Sequence, residues 1–186
     1  MSEVILFLRS ESEKQEKLLE ELLNLDQSHP GEIDRVKLID LLQNTYKLYS
    51  SVEKLREAYS EWVKVHSNRI YDSMKALIAL DTLPEPWNKL ALPKYAEKGT
   101  IAGYLYVFHL FQVHAHGLYH LLSSQINMDR NVSRVFGHVQ EDLSIRREFF
   151  DKVRAELNLD HSVDLAAGVN LAYADIQSLL RKKSLS

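Results

Sequence analysis

The chain has no cysteine, which excludes a disulfide framework, a thiolate nucleophile and a thiolate metal site. Glycine and proline are scarce as well, at 6 and 4 in 186 residues, and residues 32–83 contain neither. Helix interiors exclude both residue types, whereas a fold of many short strands needs turn chemistry at close intervals. A surplus of one charge is also missing. The 23 basic and 26 acidic side chains leave a net charge of −3, so nothing draws the whole molecule toward nucleic acid or an anionic membrane. No apolar run approaches the ~18 residues that span a bilayer. The stretch MSEVILFLRS has an acidic residue ahead of Val4–Leu8, whereas a secretory signal carries a basic lead and a longer apolar core.

These absences describe a soluble, cytoplasmic, all-α protein. Hydrophobic content of 45% and charged content of 26% are ordinary globular values. The length suits a single helical domain over residues 1–186. We expect a helical bundle of four to five main helices, one of them unusually long.

Val4 to Leu8 fits either a buried strand or a helical turn. Ser12-Glu13-Lys14-Gln15 fits a capping box opening a helix through Leu18, Leu19, Leu22, Leu23 and Leu25. From about residue 32 to residue 80 the apolar positions keep one phase: Leu41, Thr45, Leu48, Val52, Leu55, Tyr59, Trp62, His66, Ile70, Leu77 and Leu80. That continuity predicts one helix of roughly 70 Å at ~1.5 Å per residue, either kinked near Ser50-Ser51 or Ser67-Asn68, or projecting as an arm. Residues 81–99 hold three of the prolines and should form an ordered loop, pinned by Trp87, Leu90, Leu92 and Tyr95. Thr100 should cap a fourth segment, and residues from Val135 to Leu157 a fifth, with Val139, Leu143, Phe149 and Val153 facing inward. Ser162 should cap a last helix through Leu165, Val169, Tyr173, Ile176 and Leu180. The basic residues from Arg130 to Arg154 alternate with Glu141, Asp142, Glu148 and Asp151, and read as a solvated face.

Chemistry concentrates in FHLFQVHAHGLYH, residues 108–120, which carries four of the eight histidines. At ~100° per residue His109, Gln112, His116 and His120 share an arc of roughly 80°, with His114 nearly opposite. Two readings follow. The stripe is the wet side of an otherwise apolar helix, or it is a metal site. In the metal reading His116 and His120, four apart, bind one divalent ion (Zn, Ni or Fe) with His66 as third ligand. His109, Gln112, Tyr59 and Trp62 would then form the surrounding pocket. His116-x3-His120, followed by Gln125, resembles the HxxxH of the DinB metal-binding bundles, and that resemblance implies a third histidine from an earlier helix. It covers about a dozen residues, and the spacing to the glutamine differs. His114 and His120 are also similar to the histidines of helical phosphotransfer domains, although Gly117 and Leu121 supply no charged neighbour. No ExxH, HExxH, phosphate-binding loop or nucleophile elbow occurs.

The reading placed first is a non-catalytic adaptor or regulator, acting through a protein partner or as a homo-oligomer. It needs no cofactor, nucleic acid or membrane. The motive is that a long apolar seam exceeds what the other helices can cover; Val4 to Leu8, Trp87 in the Pro-Glu-Pro-Trp loop and His114 are its candidate contacts. The alternatives are the three-histidine metal bundle, acting on or binding a small molecule, and a pH-responsive bundle built on imidazoles that titrate near pH ~6.5.

Overall fold

A computed structural model describes residues 2–23, 35–64, 67–85, 87, 92, 93, 95–123 and 130–181. The described chain is helical, with no strand among these residues. The helices are α1 (Glu3–Glu13), α2 (Lys17–Leu22), α3 (Arg35–Leu55), α4 (Ser67–Ala79), α5 (Lys98–Ser123), α6 (Arg130–Phe136), α7 (Val139–Glu156) and α8 (Ser162–Arg181), with a 3₁₀ turn at Leu159–His161 before α8. Their contacts gather into two compact units. One comprises Met1–Leu19, Leu90–Gln112 and Gln140–Ser186, and the other Glu20–Lys89 and Val113–Val139.

In the first unit Val4, Ile5 and Leu8 are buried on α1, so the apolar N-terminal run is helical. Ser12 lies inside α1 rather than capping α2. Its hydroxyl is 2.7 Å from the Tyr173 hydroxyl of α8, both buried. Burial beside Tyr173 satisfies the serine oxygen, so the anticipated capping box does not form. Gln15 also turns to α8, donating to the Asn170 side chain at 2.8 Å.

The α5–α8 crossing is set by glycine. A Cβ on Gly103 would overlap the Leu165 carbonyl, and one on Gly168 the Thr100 carbonyl. A Cβ on Gly99 would sit 2.7 Å from that of Asp164. The backbones can approach this closely only without those side chains. Beside the crossing, the buried Tyr104 hydroxyl donates to Asp175 Oδ2 at 2.7 Å. Because α5 begins at Lys98, Thr100 belongs to its first turn and is no cap. The end of α7 connects to α8 through a capping box at Asn158. The asparagine side chain accepts from the Asp160 amide at 3.1 Å, and the Asn158 amide donates to His161 Nδ1 at 3.3 Å.

In the second unit the expected long helix over residues 32–80 is two helices. α3 ends at Leu55, α4 begins at Ser67, and the two pack against each other. The longest described helix is instead α5, with 26 residues. Between α3 and α4 the chain continues through tight turns: the Tyr59 amide donates to the Leu55 carbonyl, and those of Trp62 and Val63 to the Tyr59 carbonyl. Tyr59, Trp62 and Val63 are buried. Turns of this kind keep the apolar phase running, so periodicity alone hides the break; of the two kink positions expected, Ser67-Asn68 is where α4 begins, while Ser50-Ser51 lies inside α3.

α4 closes on a Schellman motif. The Thr82 amide donates to the Leu77 carbonyl, the Asp81 amide donates to that of Ile78, and Asp81 has φ 56°. Gln43 on α3 then holds the following segment from both sides, donating to the Leu83 carbonyl at 2.7 Å and accepting from the Glu85 amide at 3.1 Å. α6 packs on α4. The single helix expected over Val135 to Leu157 is divided at Gly137-His138 between α6 and α7, where a glycine follows the last helical turn as a stop signal.

Candidate functional site

The histidine stripe is helical throughout, as its spacing requires, but it is no uniform wet edge. His109 is 5% exposed and Gln112 2%. Their side chains pair with each other, His109 Nδ1 to Gln112 Oε1 at 2.9 Å. The His109 ring packs on Phe149 of α7 with centroids 4.5 Å apart. Two polar residues one turn apart thus satisfy one another, which lets that part of the stripe enter the core. His114 and His116 are half-buried. His66 and the side chain of His120 lie outside the described residues. Among the described residues no group of three potential ligands converges.

The other named residues have structural positions. Tyr59 and Trp62 are core residues of the turns after α3. Trp87 is buried, and its carbonyl accepts from Ser51 Oγ at 3.5 Å and Lys54 Nζ at 3.3 Å. It anchors the loop instead of displaying it. Leu92 is buried too, whereas Tyr95 is exposed and Leu90 lies outside the described residues.

The feature that sequence reading missed is α4. Its buried side consists of Arg69, Ser73, Ala76 and Leu77. Arg69 is only 2% exposed, donates to the Val135 carbonyl at 2.8 Å and to the His138 carbonyl at 3.0 Å, and stands 5.9 Å from the centroid of the Tyr49 ring. His138 Nε2 lies 3.0 Å from Asp72 Oδ2 on the same helix. The opposite side of α4 carries Tyr71 (51% exposed), the half-buried Met74 and Ile78 (54% exposed). Lys75 lies 4.4 Å from the centroid of the Tyr71 ring. Comparison with family models, curated proteins and solved structures returns no match. Both sides of α4 thus mix polar and apolar residues. Part of its polar set is inside, held by the Val135 and His138 carbonyls, while three apolar side chains at i, i+3 and i+7 spacing face out. The sequence signal was a second apolar set, Tyr71-Met74-Ile78, beside the set read as inward. No helix among the described residues is long and apolar enough to cross a membrane.

Proposed function

We propose that this protein is a non-catalytic helical module that works through association with a second copy of itself, with the outward strip of α4 as the contact. One observation carries this reading. The side of α4 presenting Tyr71, Met74 and Ile78 lies opposite its packed side, with Tyr71 and Ile78 about half exposed and Met74 half-buried. Exposed apolar side chains occurring singly are ordinary, but a row along one helix marks an association surface. An exposed ring with an ammonium over its face suits an interface, since the ring contributes area and the cation–π contact holds it in place. Val36 and Leu83 are exposed as well, beside the residues where the Arg35 guanidinium donates to the Leu80 carbonyl at 2.9 Å.

Size exclusion with light scattering tests this reading. The wild-type chain is expected to elute as a dimer or larger at micromolar concentration. Tyr71→Glu together with Ile78→Glu should give a monomer with unchanged far-UV circular dichroism, since both positions are exposed. A wild-type chain that stays monomeric at about 100 μM, well above a micromolar Kd, would remove the reading.

A further inference from the structure

α7 carries a feature that its linear sequence conceals. Acidic and basic residues alternate along it, yet the helix sorts them. At ~100° per residue Arg146, Arg147 and Arg154 fall within an arc of roughly 100°, and Glu141, Glu148 and Glu156 lie on the other side with Lys152, which pairs with Glu156 at 2.9 Å. The basic flank lines a cleft of about 700 Å³, together with Gln140, Ser144, Leu143 and Phe150. Asp151 is the acidic residue in that wall, and it pairs with Arg154 at 2.8 Å. Arg146 and Arg147 form no hydrogen bond or ion pair among the described residues. Phe150 is half-buried and held from behind by Tyr106, edge to face at 6.1 Å, and by Phe149 at 5.4 Å. Leu143, expected in the core, is 40% exposed here.

We propose that this flank binds a small organic dianion that has a flat apolar part. The Arg146 and Arg147 guanidiniums, which have no counter-ion among the described residues, supply the charge. Their planar fork matches phosphate and carboxylate oxygens equally, in two parallel hydrogen bonds each. The Phe150 ring and the Leu143 side chain supply an apolar wall, and Gln140 and Ser144 supply neutral hydrogen-bonding groups. The cleft is open, its described lining belongs to α7, and its volume lies in the range of small-molecule sites. The site rests on α7 and stands independently of self-association through α4.

The experiment is a titration of the isotopically labelled full chain followed by amide chemical shifts. It is run at low salt, because exposed charges are screened within about 10 Å at 0.1 M. Three probes are added separately: adenosine monophosphate, phthalate and inorganic phosphate. Saturable shifts confined to residues 140–154 are expected with one or both organic probes. Whichever binds more tightly identifies phosphate or dicarboxylate as the source of charge. Inorganic phosphate should bind at least several-fold more weakly, because it cannot use the apolar wall. Arg147→Glu should weaken the organic probes by about tenfold or more, and Leu143→Ala by a smaller factor. Both positions are exposed, so circular dichroism should not change. Failure of all three probes to saturate, equal binding of inorganic and organic anions, or binding indifferent to Arg147→Glu would each overturn the proposal.

Discussion

Single atoms decide how close α5 and α8 can come. At Gly103 and Gly168 the missing Cβ is replaced by a carbonyl of the opposite helix. Alanine at either position gains helix propensity but must push the two backbones apart. Forcing extra atoms into a packed contact costs roughly 1–3 kcal/mol, more than the propensity returns. Gly103→Ala and Gly168→Ala are therefore expected to lower the midpoint of chemical denaturation, and the same exchange at Gly117 to raise it. Gly117 is exposed, lies in the same helix α5, and a Cβ there meets nothing within 4 Å. Its replacement should stabilise by about 0.5–1 kcal/mol. Equal effects at the three positions would mean that close approach does not govern this crossing. The histidines make a related point. Spacing correctly placed His109 and Gln112 on one edge of a helix, but periodicity reports which residues share a face and not what covers it. A polar pair that can bond internally is as fit for the core as for water, and only the position of Phe149 distinguishes the two.

At the scale of elements, the all-α class was legible because glycine and proline are too few for many strands. The division of the second segment into α3 and α4 was not, because no breaker residue marks it. Tyr59, Trp62 and Val63 stay buried through successive turns, so the apolar phase survives where the helix does not. The α6–α7 break was legible in principle, since Gly137 stands where a helix stop is expected. Arg69 was hidden for another reason: a buried arginine follows no hydrophobic pattern. Its guanidinium binds the Val135 carbonyl in the last turn of α6, where helix carbonyls run out of amide partners, and the His138 carbonyl just before α7. Hydrogen bonds to a charged donor contribute roughly 1.5–3 kcal/mol each before desolvation, so Arg69→Ala should destabilise by about 3 kcal/mol. Arg69→Lys should recover only part of this, because an ammonium cannot span both carbonyls with the same fork. Hydrogen exchange gives the local readout. The amides of α6 should lose protection before those of α8, and retention of α6 protection in Arg69→Ala would contradict the capping role.

For the molecule as a whole, three buried tyrosines predict how stability depends on alkali. Burial holds the Tyr104 hydroxyl well above the ordinary tyrosine pKa, and the charge of Asp175 and its hydrogen bond push the same way. Burial moves Tyr106 up to about 12, with Arg9 and Arg146 pulling slightly back and Glu16 and Glu13 adding to the rise. Tyr173 also reaches about 12 through burial, against a lowering contribution from its bond to Ser12. In the unfolded chain all three titrate near pH ~10. A folded-state value above the unfolded one means that the unfolded chain releases its protons first. The stabilisation is therefore fully present below pH ~10 and lost as pH rises from there toward 12 and beyond. Thermal melts between pH 9 and 12 should show a falling midpoint. Tyrosinate absorbance should show part of the tyrosine population titrating late, and rising abruptly when the fold is lost. Because Tyr104 alone among the three faces a buried carboxylate, Tyr104→Phe should flatten the alkaline loss more than Tyr173→Phe. A melting midpoint independent of pH up to 12, or all nine tyrosines titrating together near pH 10 in the folded protein, would show that these hydroxyls are open to water and that the α1–α5–α8 packing described here is wrong.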